Sequence, residues 1–142
     1  MKKVSFDFDG CLGDRSDVQE YCRKLLKRSD VEVWIVTSRP EFPEQHFPGW
    51  DRLREDQKWS NDDDLFPLAS ELGIPRERIV FTWWNPKADW FAQNGKDFVF
   101  HLDDDTVELR DIAGIPDCKL VGICCYGSGN WEQKCERVLQ RT

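Results

Sequence analysis

No stretch of this chain is apolar for long enough to serve as a signal peptide or a membrane span, so a soluble, cytoplasmic protein with no membrane partner is expected. Basic residues are in deficit: 20 Lys and Arg stand against 27 Asp and Glu, a net charge of −7 at pH 7, which disfavours broad electrostatic capture of nucleic acid. Arg23, Lys24, Lys27 and Arg28 form a local basic cluster, read here as the solvated face of a helix. The six cysteines include no CxxC pair and are read as reduced thiols. Cys124 and Cys125 are adjacent, so on a strand they point to opposite faces and do not make a metal site. Repeats, low-complexity tracts and linkers are also missing, and residues 1–142 are read as one domain, long enough to bury a core. No obligate protein partner is evident.

What is present is an alternation of strand-like and helix-like segments. Lys3 to Phe8, Glu32 to Val36, Arg76 to Phe81, Asp97 to Leu102 and Lys119 to Cys125 are short β-branched or aromatic runs bounded by Pro, Gly or charge. Between them, Ser16 to Arg28 places Val18, Tyr21, Cys22, Leu25 and Leu26 on one helical face, with Ser16 or Asp17 as cap. Leu65 to Leu72, Lys87 to Gln93 and Val107 to Ala113 each end at a glycine or Asn-Gly, and Trp131 to Leu139 closes the chain. Right-handed crossovers then give an α/β fold: a doubly wound, Rossmann-like, five-stranded parallel sheet with helices on both faces. The segment 40–64, rich in Pro, Trp and charge, fits this pattern least. A helix is expected only over Trp50 to Trp59, and the segment is read as a small lid over the site. Asn61 to Asp64 lacks the glycine and distal glutamate of a calcium loop and is read as a helix N-cap.

The ends of the predicted strands carry the chemistry. Asp7 and Asp9, two residues apart at the carboxyl end of the first strand, are expected on one face of it with Gly10 behind them, and two carboxylates so close repel unless a cation or a shared proton relieves them. The second strand exits into Thr37-Ser38-Arg39, which offers hydroxyls, amides and a guanidinium to a phosphate. Lys87 opens a helix beyond the third strand, where the helix dipole disfavours a cation and a bound anion would relieve it. The fourth strand delivers Asp103, Asp104 and Asp105. Ligands of open α/β sheets bind at this carboxyl edge.

In these residues the chain resembles the haloacid dehalogenase-like (HAD) superfamily, whose members carry an Asp-x-Asp strand end, a Thr or Ser after the second strand, a Lys, and an acidic pair after the fourth. The resemblance implies Asp7 as nucleophile, Asp9 as general acid and base, Thr37 as the hydroxyl that holds the phosphoryl group, and Lys87 as the cation that steadies it. It further implies Mg²⁺, held by the Asp7 carboxylate, the Asp9 carbonyl and Asp103 or Asp104. Cys11 stands where members often have Thr or Val, and no chemistry is assigned to it. The interval between motifs leaves little room for a cap domain, so a capless or minimally capped phosphatase is expected. Its substrate would be a phosphorylated small molecule such as a nucleotide, with a polynucleotide end as the alternative. Ser38, Arg39, Trp83 and Trp84 are the expected substrate-binding residues, an indole stacking on a base or sugar. His101 is read as a core histidine. A phospho-accepting or metal-binding regulatory module without turnover is the reading from another class. In receiver modules, however, the phospho-acceptor follows the third strand, where this chain has Phe81-Thr82-Trp83.

Overall fold

A computed structural model describes residues 1–127 and 129–142. Five strands, β1 (Lys2–Phe6), β2 (Val31–Thr37), β3 (Ile79–Phe81), β4 (Phe98–Asp103) and β5 (Val121–Cys124), pair in parallel in the order β3-β2-β1-β4-β5. Helices α1 (Ser16–Leu26), α3 (Leu65–Leu72), α4 (Lys87–Asn94), α5 (Thr106–Ala113) and α6 (Trp131–Arg141) cover both faces, and a short α2 (Pro43–His46) lies between β2 and α3. This is the doubly wound, Rossmann-like architecture, with the order reversing beside β1, where such sheets hold ligands. Among the described residues, no helix is long and apolar enough to cross a membrane.

Period-two alternation along β1 divides the two layers. Val4 and Phe6 are fully buried in one core with Val18, Tyr21 and Leu25 of α1, Leu65 of α3 and Leu139 of α6. Val36 and Phe98 pack with Phe91 of α4 and Ile112 of α5 in the other. A slip in the β1–β4 pairing, with Lys3 opposite Phe98 but Val4 opposite Phe100, leaves Val99 as an extra residue. Phe98 therefore faces α4, Phe100 packs on Phe6 from the opposite side, and His101 comes to lie beside Phe91 and Ser5.

Several boundaries differ from expectation. The first strand stops at Phe6, so Asp7 and Asp9 stand in the turn that follows rather than side by side on a strand, and Gly10 adopts φ +74°. Helix α1 begins at Ser16 as expected, but its N-cap is Arg15, with no side-chain cap bond, rather than Ser16 or Asp17, and it ends at Leu26, where Arg28 N–H donates to the Leu25 carbonyl in a tightened last turn. The third strand begins only at Ile79, because Pro75 opens a single turn closed by Arg78 N–H on its carbonyl. The last strand is confined to Val121–Cys124. No helix spans Trp50 to Trp59: single turns at Trp50–Arg52 and Glu55–Gln57 are separated by extended Leu53 and Arg54. Asp64 does cap α3, accepting from the Leu65 amide at 2.6 Å.

Candidate active site

Asp7 continues the line of β1, its amide donating to the Leu102 carbonyl at 2.8 Å, and its carboxylate is buried. Lys87, the first residue of α4, extends over the sheet, and its Nζ donates to Asp7 Oδ1 at 2.7 Å and to Asp103 Oδ2 at 2.6 Å. Asp103 Oδ2 also lies 2.8 Å from His101 Nε2, and His101 Nδ1 lies 2.8 Å from Ser5 Oγ. A buried polar chain thus runs Ser5, His101, Asp103, Lys87, Asp7 beneath the sheet edge. In this structure Lys87 is met by the protein's own carboxylates, and the first amide of α4 by Glu108 Oε2 at 3.2 Å.

The electrostatics follow from that chain. Burial works against a charged Asp103, but the hydrogen bond with His101 and the Lys87 ammonium hold it well below the usual carboxylate range. Burial pushes His101 down and favours the neutral ring, against the pull of Asp103. Lys87 stays an ammonium, held above its ordinary value by Asp7 and Asp103 despite its burial. Burial pushes Asp7 upward, the Lys87 ammonium pulls it back, and the Asp103 carboxylate adds to the rise.

Carboxylate oxygens of Asp7, Asp103 and Asp104 lie within 4.8 Å of one another, a set of hard oxygen donors with more negative charge than one ammonium balances. Together they could hold a divalent cation. Because protons and Mg²⁺ compete for these oxygens and burial raises Asp7, Mg²⁺ binding should tighten as pH rises from about 6 to about 8. Calorimetric titration at both pH values in two buffers of different ionisation enthalpy measures this; affinity that weakens with pH contradicts it. Gly10 belongs to the same arrangement, since a Cβ there would collide with the Asp104 carboxylate and φ is +74°. Gly10→Ala should therefore cost about 1–3 kcal/mol and weaken Mg²⁺ binding, read from the denaturation midpoint with and without the ion.

The remaining expected residues divide. Asp7, Asp9, Ser38, Trp84, Lys87 and Asp104 line a cavity of about 460 Å³, which Asp103, Asp105 and Glu108 complete. Thr37, at the end of β2, is fully buried beside this cavity rather than in its wall, and its Oγ1 accepts from the Arg39 amide at 3.3 Å. Ser38 is the hydroxyl residue that borders the cavity.

Arg39 is not free for a phosphate in this arrangement. Its guanidinium holds Asp9 through Nε at 2.9 Å and Nη2 at 2.7 Å, and holds Asp64 at 2.8 and 2.9 Å. It lies between the Phe8 ring and the Trp59 indole, 4.8 and 5.2 Å from their centroids. Arg39 thereby fastens segment 40–64 to the turn after β1. Arg39→Ala should lower stability by about 1–3 kcal/mol and speed proteolytic cleavage within 40–64, with limited proteolysis as the measurement.

Trp83 and Trp84 point to different places. Trp83 packs 5.2 Å from His46 and borders a shallow depression with Thr82, Asn85 and Trp90, away from Asp7, whereas Trp84 stands at the cavity mouth. Sequence reasoning missed Ser5, Glu108 and the polar role of His101. The His101-x-Asp103 spacing on one strand face was the available signal, and Ser5 follows from its register opposite His101.

The fold and the site together define a doubly wound α/β protein with an acidic, lysine-bridged cavity at the carboxyl edge of β1 and β4. No protein-family model matches the chain, and no curated protein does. The chain is similar in fold to the crystal structure of an uncharacterized protein from Corynebacterium glutamicum, with a TM-score of 0.51 and 17% identity over 99% of this chain and 96% of that one.

Proposed function

We propose that the chain is a Mg²⁺-dependent phosphomonoester hydrolase of the HAD-like type, acting through an aspartyl-phosphate on a nucleotide or related small phosphate ester. The observation that carries this reading is the bridge of Lys87 between Asp7 and Asp103 at the floor of an open acidic cavity. Asp7 attacks phosphorus, a bond forms from its carboxylate oxygen, and the ester oxygen leaves. Asp9, at the rim, gives a proton to that oxygen and then takes one from the water that hydrolyses the acyl-phosphate. For the first of these acts Asp9 turns away from Arg39, which keeps Asp64 as its partner. Lys87 and the amides after β2 offset charge on the equatorial oxygens. Mg²⁺ would supply further charge neutralisation, held by Asp7, Asp104 and the Asp9 carbonyl. Both Asp103 oxygens are already engaged, by Lys87 and His101 on one side and the Asp105 amide on the other, which favours Asp104 as the direct ligand.

All six cysteines are free thiols, which supports a reducing, cytoplasmic setting. The test is phosphate release from nucleoside monophosphates, sugar phosphates and phosphorylated oligonucleotides, with Mg²⁺ and with EDTA. Metal-dependent release is expected. Formation of a stable aspartyl-phosphate without turnover would instead favour a regulatory module.

A further inference from the structure

A second cavity, of about 270 Å³, adjoins the first and is bounded by Trp59, Ser60 and Asp63, and both cavities have Asp9 and Trp84 in their walls. An ester with phosphorus at Asp7 therefore sends its alcohol past Asp9, along Trp84, into the second cavity. We propose that Trp84 and this cavity form the leaving-group subsite, and that the substrate is the monophosphate of an alcohol carrying an uncharged planar ring, as a nucleoside does. The proposal rests on the phosphatase reading and deepens it.

Trp84 is 51% exposed, an unusual position for the largest apolar side chain. Its backbone is left-handed at φ +67°, directly after Trp83 at +54°. Non-glycine residues in that region are strained, and such conformations cluster at ligand sites. Hydrogen bonds hold the strained turn in place: Trp84 N–H donates to the Ser38 carbonyl at 2.8 Å and Trp83 N–H to the Arg39 carbonyl at 3.3 Å. Phe47 braces the indole, its ring meeting that of Trp84 edge to face at 6.1 Å. The exposed indole is thus fixed from below by the loop after β2 and from the side by segment 40–64, a rigid platform for a planar ring.

Charge sets the second half of the specificity. Beyond Asp7 and Asp103, which hold Lys87, and Asp9 and Asp64, which hold Arg39, the walls of the two cavities carry Asp63, Asp104, Asp105 and Glu108. Their cations, Lys87 and Arg39, are each held by two carboxylates. One phosphoryl group is met by Lys87 and a metal, but a second phosphate on the leaving group would face carboxylates. Nucleoside bisphosphates and polynucleotide ends are disfavoured for the same reason.

The experiment compares kcat/KM of the full chain with Mg²⁺ for a nucleoside 5′-monophosphate, glycerol 3-phosphate and a nucleoside 3′,5′-bisphosphate, in wild type, Trp84→Ala and Trp84→Phe. Wild type should prefer the nucleoside monophosphate over each of the others by about tenfold or more, the size of one stacked base. Trp84→Ala should erase the preference over glycerol phosphate, mainly through KM, and Trp84→Phe should restore most of it. A preference that survives Trp84→Ala, or no preference in wild type, overturns the subsite while leaving the phosphatase standing. If no ester releases phosphate, the phosphatase reading fails, and calorimetric titration with the nucleoside alone decides the subsite: binding lost in Trp84→Ala supports it, and no binding to wild type overturns it.

Discussion

Asp7→Asn should lower phosphate release by about a thousandfold or more while leaving the fold intact. The amide keeps the volume of the carboxylate but is a far poorer nucleophile, and no other carboxylate in the cavity shares the position of Asp7 at the end of β1 and over the Lys87 ammonium. The structural cost should stay within about 1–2 kcal/mol, because Lys87 retains Asp103 at 2.6 Å and an amide oxygen can still accept from it. Steady-state kinetics beside a thermal melt separate the two effects. Activity near wild type in a folded variant would remove Asp7 from the chemistry, whereas loss of activity together with loss of fold would call for the same comparison in Asp7→Glu.

Replacing Lys87 should have the largest effect on stability. Its side chain is almost wholly buried between two carboxylates, and removing one partner of such an arrangement leaves uncompensated charge, a cost of about 3–5 kcal/mol. Lys87→Met keeps the stem packed and removes only the charge, so the free energy of unfolding should fall by that amount, lowering the denaturant midpoint, and kcat/KM should fall by about a hundredfold or more. Mg²⁺ should recover part of the lost stability by neutralising Asp7 and Asp103 in place of the ammonium. An unchanged midpoint would mean that the carboxylates do not depend on Lys87, and a normal kcat/KM would take it out of the site.

The elements that sequence made legible are those built from local signals. Leu65 to Leu72 closes at Gly73, which is left-handed at φ +90°, and the four buried positions of α1 follow helical spacing. Asp7 and Asp103 at strand ends, and Lys87 on the helix that follows β3, could be ordered because a parallel sheet puts all its carboxyl ends on one edge. Segment 40–64 was not legible, since its contacts are tertiary: Phe47 touches Trp50, Trp59 and Trp84, and Asn61 Nδ2 donates to the carbonyls of Pro40 and Glu41. Arg39 looked like a phosphate ligand because nothing local reveals that Asp9, 30 residues earlier, and Asp64, 25 residues later, occupy it. Trp83 and Trp84 could not be told apart for a similar reason. The two indoles part only in the folded turn, where Trp83 packs on His46 and Trp84 meets the cavity.

The most direct test of the account is to quench a single turnover of a nucleoside monophosphate in acid, with Mg²⁺ present, and to map any covalently bound phosphoryl group by mass spectrometry. The account predicts that group on Asp7, its decay matching the appearance of inorganic phosphate, and its absence from Asp7→Asn. A phosphoryl group on another residue, or phosphate release by Asp7→Asn at the wild-type rate, would contradict it.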